Sequence, residues 1–319
     1  MIRPFDLRDV QLVRRLEEHG IVLDSRAALV NAHHPLRDAL LAYLFAGRGA
    51  STFVLRLKQP GADLRAFGQI RVCTNHPQAR LATLASSPPG HESTTWPQML
   101  DILTAQAGRY GAQTVLAQMP DDGSGFEALR RADFVVYTRQ EIWRLNATLP
   151  APGQERLRAE HPGDLWHIQQ LAANMVPRLV RQIELVEQTG DGMVWMEDGT
   201  LLAYVCAHRG LHGSWLQLYL HPEVDKDARL ILQQAVAHYE PTLARPLYWC
   251  VRRYQEWLTR SLLDLGFESV GSQAVMVRHT AARVIRPVLT PLPVHETGLE
   301  ATSPIVHGFV RGDLGSTKV

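Results

Sequence analysis

The segment that decides the fold runs from Gly213 to Tyr239 and reads Gly-Ser-Trp-Leu-Gln-Leu-Tyr-Leu-His-Pro-Glu-Val-Asp-Lys-Asp-Ala-Arg-Leu-Ile-Leu-Gln-Gln-Ala-Val-Ala-His-Tyr. Trp215 to Leu220 mixes aromatic and aliphatic residues in a short run, which is typical of a strand. His221-Pro222 ends that strand, because proline has no N–H to donate to a ladder. Beyond it apolar residues recur at helical spacing, with Asp225 or Asp227 placed to cap the first turn. The segment therefore predicts a strand that leads directly into a helix N-terminus, where many folds hold an anionic cofactor.

The composition is that of an ordinary globular chain of 319 residues, 45% hydrophobic and with a formal net charge of +1. A charge so near zero gives no reason to expect a nucleic-acid partner, which would need a basic face. The three cysteines stand far apart in apolar runs, where a thiol behaves as a small hydrophobic group. The first residues lack the apolar core of a signal peptide and no run is long enough to span a bilayer. We therefore expect a cytoplasmic protein with no membrane partner.

Two stretches of the chain share a pattern at the start of a predicted helix. Asp9 to Leu16 and Asp164 to Leu171 both begin with an acidic residue, placed as a helix cap, and carry apolar residues one, four and seven positions on. The ends also agree, since Leu129 to Phe134 and Leu262 to Phe267 both resemble a helix exit followed by an aromatic residue that opens a strand. Because independent stretches agree at both ends, the sequence predicts an internal repeat.

The repeat divides the chain into two halves with one order of elements. The sequence pattern of each half predicts a strand, one or two helices, a meander of three strands, a helix, a strand, a helix and a last strand. We place the first half at residues 1–147 and the second at residues 156–284, joined by a proline-containing linker at 148–155. Residues 285–319 carry prolines among Thr, Gly and Ser, and we expect an extended or disordered tail there.

This order of elements, together with three local motifs, resembles the GCN5-related N-acetyltransferases (GNAT). The motifs are Ile2-Arg-Pro-Phe-Asp-Leu-Arg-Asp9 at the start, Leu220-His-Pro-Glu223 after the fourth strand of the second half, and Leu265-Gly-Phe267 after its last helix. The resemblance implies an α+β fold of two tandem acyl-CoA N-acyltransferase-like domains, each a mixed, mostly antiparallel sheet flanked by helices. We expect the two domains to pack as an intramolecular pseudo-dimer.

Acetyl-CoA, or another acyl-CoA, is the cofactor that the resemblance implies. In the family it lies in a V between the fourth and fifth strands, with its pyrophosphate on the N–H groups of a glycine-containing loop. The second-half positions that match this site are Leu220, Val224, Lys226, Ala228 and Arg229. The loop, residues 224–230, contains no glycine and places Asp225 and Asp227 where phosphates would rest, which is unfavourable for like charges. The matching first-half segment, residues 88–96, keeps one glycine but has two prolines, which lack N–H donors.

The candidate catalytic residues lie at the mouth of the V in the second half. His221 and Glu223 suit a base and an orienting carboxylate for an amine substrate, and Tyr219 lies on the polar face of the strand that leads to them. A solvent-facing turn is the alternative interpretation of this pair. In the family a tyrosine near the end of the last helix protonates the departing CoA thiolate. Leu129 and Leu262 stand at that position here, and leucine has no proton to transfer.

Two further arrangements carry less weight. Cys250 and His221 could form a nucleophile and base pair, although nothing in the sequence brings them together. His208 and His212 have the spacing of metal ligands, but no third ligand is evident. We expect a solvated turn there and no metal.

Two functional hypotheses follow from these residues. The first makes the protein a CoA-dependent N-acyltransferase that acylates an amine of a small molecule or a protein, and it relies on the fold pattern and on His221-Pro222-Glu223. The second makes it a catalytically degenerate GNAT-fold protein that binds a ligand or a partner, and it relies on the missing glycines and tyrosines. Binding of acetyl-CoA distinguishes the two.

Overall fold

The structure is a computed structural model that describes residues 2–45, 50–59, 62–73, 76–88 and 90–280. The predicted tail, residues 285–319, lies outside the described residues. All of the described residues belong to one compact unit. Both sequence halves can therefore be described within a single body.

The first half alternates strands with helices in the predicted order. Its strands are β1 (Ile2–Pro4), β2 (Ile21–Val22), β3 (Ser51–Gln59), β4 (Ala62–Val72), β5 (Gln78–Ser87), β6 (Thr114–Met119) and β7 (Val135–Leu145). Its helices are α1 (Val10–Glu17), α2 (Ser25–Asn31), α3 (Pro35–Leu44), α4 (Glu92–Arg109) and α5 (Gly123–Arg131). Pro35 opens α3 in its first turn, where the N–H that proline lacks would have no partner within the helix.

The second half repeats this order. Its strands are β8 (Arg158–Ala159), β9 (Met193–Glu197), β10 (Thr200–Arg209), β11 (Ser214–Leu220), β12 (Leu247–Arg252) and β13 (Glu268–His279). Its helices are α6 (Leu165–Met175), α7 (Arg178–Ile183), α8 (Ala228–Tyr239) and α9 (Thr259–Asp264). Short 3₁₀ helices at Pro222–Asp227 and Arg253–Leu258 lead into α8 and α9. The last helical segment of the second half is therefore α-helical only in its second part.

Both halves contribute to one mixed sheet. Its strand order is β1-β3-β4-β5-β6-β13-β7-β12-β11-β10-β9-β8, and β2 pairs with β5 outside this path. Among the described strands, the parallel pairs are β5 with β6 and β11 with β12. Each half thus contains one parallel pair within an otherwise antiparallel arrangement, which confirms the predicted fold class.

The halves exchange their last strands. β7, which ends the first half, pairs with β12 of the second, so that Trp143 lies opposite Trp249. β13, which ends the second half, lies between β6 and β7 and places Met276 opposite Ala117 on one side and Val136 on the other. Each half-sheet is therefore completed by a strand from the other half of the chain.

Apolar cores lie on both faces of the sheet. α4 and α5 cover one core of the first half around Trp96, and α8 and α9 cover the equivalent core of the second half around Trp249. On the opposite face α6 and α7 cover a third core, in which Leu171 packs with Leu116 of β6 and Val275 of β13. This third core draws on strands of both halves, so it joins them by apolar packing as well as by strand pairing.

The predicted repeat at the start of each half reappears in atomic contacts. Arg3 donates to both carboxylate oxygens of Asp9 at 2.6 and 2.8 Å, and Arg158 donates to both oxygens of Asp164 at 2.8 and 2.7 Å. Each carboxylate also accepts the backbone N–H three residues before it, at 3.1 and 2.9 Å. The predicted capping of α1 and α6 by these side chains is wrong, because neither bonds to an N–H of its helix. Each instead ties the first strand of its half to the turn before the helix.

The helix exits also repeat. The N–H of Phe134 donates to the carbonyl of Leu129 at 3.1 Å, and the N–H of Phe267 donates to the carbonyl of Leu262 at 3.0 Å. The residue before each phenylalanine has a positive φ, 60° for an aspartate in the first half and 84° for a glycine in the second. Both residue types tolerate the left-handed region better than most. The two halves therefore share the geometry of this turn as well as its sequence pattern.

Candidate functional site

The parallel strands of the second half separate at the place where the resemblance puts acyl-CoA. β11 and β12 pair only over Ser214–Leu216 and Leu247–Trp249, although β11 continues to Leu220 and β12 to Arg252. The unpaired ends form a V at the carboxyl ends of both strands. Crevices at the carboxyl ends of strands are the common ligand sites of open sheets that contain parallel strands.

Gln255 bridges the two sides of this V. Its side-chain amide donates to the carbonyl of Leu218 on β11, and its Oε1 accepts the N–H of Arg252 on β12 at 3.4 Å. Gln255 is buried and belongs to the 3₁₀ helix that follows β12. The sequence analysis missed it, because a glutamine in a polar turn carries no local sign of burial.

The structure separates Tyr219 from the other predicted catalytic residues. Tyr219 is buried beneath α6, where its ring stacks on Tyr204 with centroids 6.0 Å apart, and burial raises its pKa well above the usual value. His221 and Glu223 instead lie near the surface, with 28% and 78% of their side chains exposed and 3.7 Å between Nδ1 and Oε2. The pair keeps the geometry of a solvated turn, and its catalytic role stays a prediction.

The predicted phosphate loop of the second half, residues 224–230, forms the end of a 3₁₀ helix and the first turn of α8. The N–H of Val224 donates to the carbonyl of His221 at 3.1 Å, and that of Ala228 donates to the carbonyl of Asp225. Leu220, Val224 and Ala228 are buried in the core under α8, whereas Lys226 and Arg229 are exposed. Asp227 stands at the N-cap of α8 without a capping hydrogen bond. The predicted cofactor residues thus divide between the core and the solvent.

A segment of the chain fills the equivalent V of the first half. β5 and β6 pair over Gln78–Arg80 and Thr114–Leu116 and then separate. In the opening, the N–H of Leu23 donates to the carbonyl of Ala82 at 2.9 Å, and its carbonyl accepts the N–H of Gln118 at 2.8 Å. Leu23 is 1% exposed. One residue therefore bonds to both edges of the V with its backbone, as an added strand would.

In the loop before α4 of the first half, a carboxylate of the chain itself accepts a backbone N–H. The N–H of Gly90, whose φ is 87°, donates to Oε1 of Glu92 at 3.1 Å. Glu92 opens α4, where a carboxylate also interacts favourably with the helix dipole. The glycine that survives in this segment therefore serves an internal hydrogen bond.

The leucines at the position of the family's acid are core residues. Leu129 and Leu262 are both 0% exposed, and each accepts the N–H of the phenylalanine that follows its helix. Their side chains belong to the two cores that lie on the same face as the last helices. Both side chains are therefore part of the apolar packing and carry no group that could donate a proton.

The remaining predicted arrangements are also located. Cys250 is buried beside Gln140, with 3.5 Å between Sγ and Oε1, and burial raises its pKa to about 11. His208 bonds to Arg26, and the backbone N–H of His212 donates to Val30. No three His, Cys, Asp or Glu side chains of the described residues are placed to hold a metal ion. Within the same ranges, no helix is both long and apolar enough to cross a membrane.

A cavity of about 520 Å³ lies between the halves. Arg26 of α2, Arg80 of β5 and His208 of β10 line it, and they also line a smaller inner cavity of about 40 Å³. Nη1 of Arg26 is 2.7 Å from Nε2 of His208. Burial, together with Arg26 and Arg80, lowers the pKa of His208 to about 3, so the neutral ring accepts a hydrogen bond from Arg26. The sequence analysis missed this cavity, because its residues come from separate elements.

Comparison with known proteins gives matches of shape but not of sequence. No family model and no curated protein matches the chain. The GCN5-related N-acetyltransferase from Sphaerobacter thermophilus aligns with a TM-score of 0.55 at 13% identity, over 88% of this chain and 95% of that one. A tandem GNAT protein from the clavulanic acid biosynthesis pathway aligns with a TM-score of 0.49 at 15% identity, over 88% and 98% of the two chains.

The chain therefore has the fold of the GCN5-related N-acetyltransferases. It is a doubled form of that fold, because the element order occurs twice in one chain and the two copies exchange their last strands.

Proposed function

We propose that this protein is a GNAT-fold ligand-binding protein that no longer transfers an acyl group from CoA. The observation that carries the proposal is Leu23, whose backbone bonds to both edges of the first-half V. A pantetheine chain would have to displace this buried residue and break both of its hydrogen bonds. The described residues of the first half therefore do not fit acyl-CoA.

The second half supports the same conclusion by its charges. Asp225 and Asp227 lie in the turn that would receive a pyrophosphate, and their negative charges would repel its phosphates. The turn has no glycine that would let the backbone approach a phosphate closely. Leu262 supplies no proton for a departing thiolate. The second half keeps the shape of the site without its chemistry.

Titration with acetyl-CoA tests the proposal. We expect no binding heat at about 1 mM acetyl-CoA, and no release of CoA thiol with a panel of amines, since the first-half V is filled and the second-half turn is acidic. Isothermal titration calorimetry and a thiol-release assay on the full chain measure the two quantities. Enzyme-dependent thiol release with any amine of the panel would overturn the proposal.

Acyl transfer in the second half is the other candidate function, and the separation of β11 from β12 favours it. Bound there, acyl-CoA would supply the activated acyl group. Lys226 and Arg229 would hold its phosphates, and His221 would take a proton from the amine acceptor. Micromolar binding of acetyl-CoA that Lys226→Glu abolishes would support this candidate. Arg131→Glu is the matched control, because it makes the same charge change at an exposed site on α5.

A further inference from the structure

The inner end of the cavity between the halves is positively charged. Arg26, Arg80 and Arg252 line it, and Glu184 is the carboxylate among its lining residues. Arg252 is 4% exposed and donates from Nη2 to Oε2 of Glu184 at 2.6 Å. Three guanidinium groups therefore face one carboxylate in the lining of this inner cavity.

Several guanidinium donors at this point lack a partner in the described part of the chain. Nε and Nη1 of Arg252 are buried without a hydrogen bond, and so is Nε of Arg80. The side chain of Arg80 makes no hydrogen bond or ion pair with any described residue. Buried donors in folded proteins are nearly always paired with protein, water or a ligand. These donors are therefore available to a group that enters through the cavity.

Two other carboxylates, those of Asp24 and Glu187, act on these arginines electrostatically but bond to other residues. Asp24 accepts the N–H of Ala27 at 3.2 Å and lies 3.6 Å from Arg71. Glu187 lies 3.3 Å from the ring of His76. The negative charges of both carboxylates reduce the positive electrostatic potential at the arginines, but neither carboxylate bonds to Arg80 or Arg252. The excess of donors at the inner end thus remains.

We propose that this cavity binds a small organic anion, with its carboxylate or phosphate group on Arg26, Arg80 and Arg252. The inner cavity of about 40 Å³ has room for a group of a few water-sized atoms, which suits one oxyanion. The outer cavity of about 520 Å³ has the size of small-molecule sites. Its lining carries charges of both signs, with five arginines (Arg26, Arg37, Arg71, Arg80 and Arg209) and three aspartates (Asp24, Asp38 and Asp191). The inference deepens the proposed function and rests on it, since it names the class of ligand.

Titration of the full chain with succinate and with inorganic phosphate tests the site, with sodium chloride added to equal ionic strength as the blank. Arg80→Gln is the informative variant, because Arg80 makes no internal hydrogen bond that the change would break. We expect it to fold and to lose anion affinity by about tenfold or more, since hydrogen bonds to charged groups are the strong ones. Arg80→Lys should keep part of the affinity. Arg130→Gln is the control, with the same charge change at an exposed site.

Each outcome is decisive. Binding of succinate alone or of phosphate alone, lost in Arg80→Gln and kept in Arg130→Gln, supports the proposal and identifies the anionic group. Absence of binding of both anions at about 50 mM overturns it, and so does equal affinity in wild type and in Arg80→Gln. An equal loss in Arg130→Gln would reveal non-specific surface binding and would also overturn it. Thiol release from acetyl-CoA contradicts the proposed function separately, whatever the anions do.

Discussion

Glu184 holds a central position among the side chains that join the two halves. It accepts hydrogen bonds from the hydroxyl of Tyr137, on the exchanged strand β7, and from Arg252 on β12. Burial alone would raise the pKa of Glu184, but Arg252, Arg80 and the bond from Tyr137 outweigh burial and hold the pKa below its usual value. The carboxylate is therefore charged in the folded protein at neutral pH.

We expect Glu184→Gln to destabilise the fold by about 3–5 kcal/mol at pH 7, because it leaves buried arginines without their counter-charge. Urea unfolding followed by circular dichroism measures the change. Glu268→Gln is the matched control, since Glu268 also pairs with an arginine, Arg144, but is 69% exposed and should matter little. Equal effects of the two variants would contradict the role assigned to Glu184.

The pH dependence of Glu184 has a definite sign. Because its pKa is lower in the folded than in the unfolded protein, its stabilising effect is complete above the unfolded value of about 4.3 and is lost as the pH falls below it. The difference in stability between wild type and Glu184→Gln should therefore shrink on acidification below about pH 4. If this difference in stability grew at low pH, the lowered pKa assigned to Glu184 would be wrong.

At the scale of single elements, the two Arg–Asp pairs at the starts of the halves allow a matched comparison. We expect Asp9→Asn and Asp164→Asn each to cost about 1–3 kcal/mol, because each removes the charge of a buried carboxylate that accepts charge-assisted hydrogen bonds. Chemical denaturation of both variants measures this cost. Asp121→Asn breaks an exposed Arg–Asp pair and should change stability little. If only one of these two substitutions, Asp9→Asn or Asp164→Asn, destabilised the protein, that result would contradict the equivalence of the two turns.

The sequence predicted most of the elements, because their signals are local. The apolar run from Trp215 to Leu220 and the helical spacing after Asp227 both depend on neighbours in the chain, and β11 and α8 formed as expected. The filling of the first-half V was not predicted. Ile21 to Leu23 is too short to give a strand pattern, and its role depends on β5 and β6, which lie about 60 and 90 residues further on.

The candidate site also contains some features that the sequence predicts and others that it does not. The absent glycines and the aspartates at 225 and 227 could be read directly from the sequence, since a loop is continuous in the chain. The arginine cluster could not, because Arg26, Arg80 and Arg252 come from three distant elements and each resembles an ordinary charged residue locally. The alternation of inward and outward residues in β13 would be the same whichever half it completed, so the exchange had no sequence signal either.

At the scale of the whole molecule, the exchange of β7 and β13 makes each half depend on the other. We expect a fragment of residues 1–147 to self-associate or to remain unfolded, because β6 would lack β13 and β7 would lack both of its partners. Size-exclusion chromatography and circular dichroism of the fragment test this. Mixing it with a fragment of residues 148–280 should restore the native spectrum. A first fragment that folds alone as a monomer would contradict the expectation.

The exchange also sets an order of events during synthesis. β6 ends at Met119, but the strand that covers its free edge ends at His279, about 160 residues later. At usual translation rates of about 5–20 residues per second, β13 is synthesised roughly 8–30 s after β6, and the edge of β6 has no β13 to pair with during that time. All six residues of β6 are buried in the finished protein. The newly made first half therefore exposes an apolar strand edge to its surroundings until the last strand is synthesised.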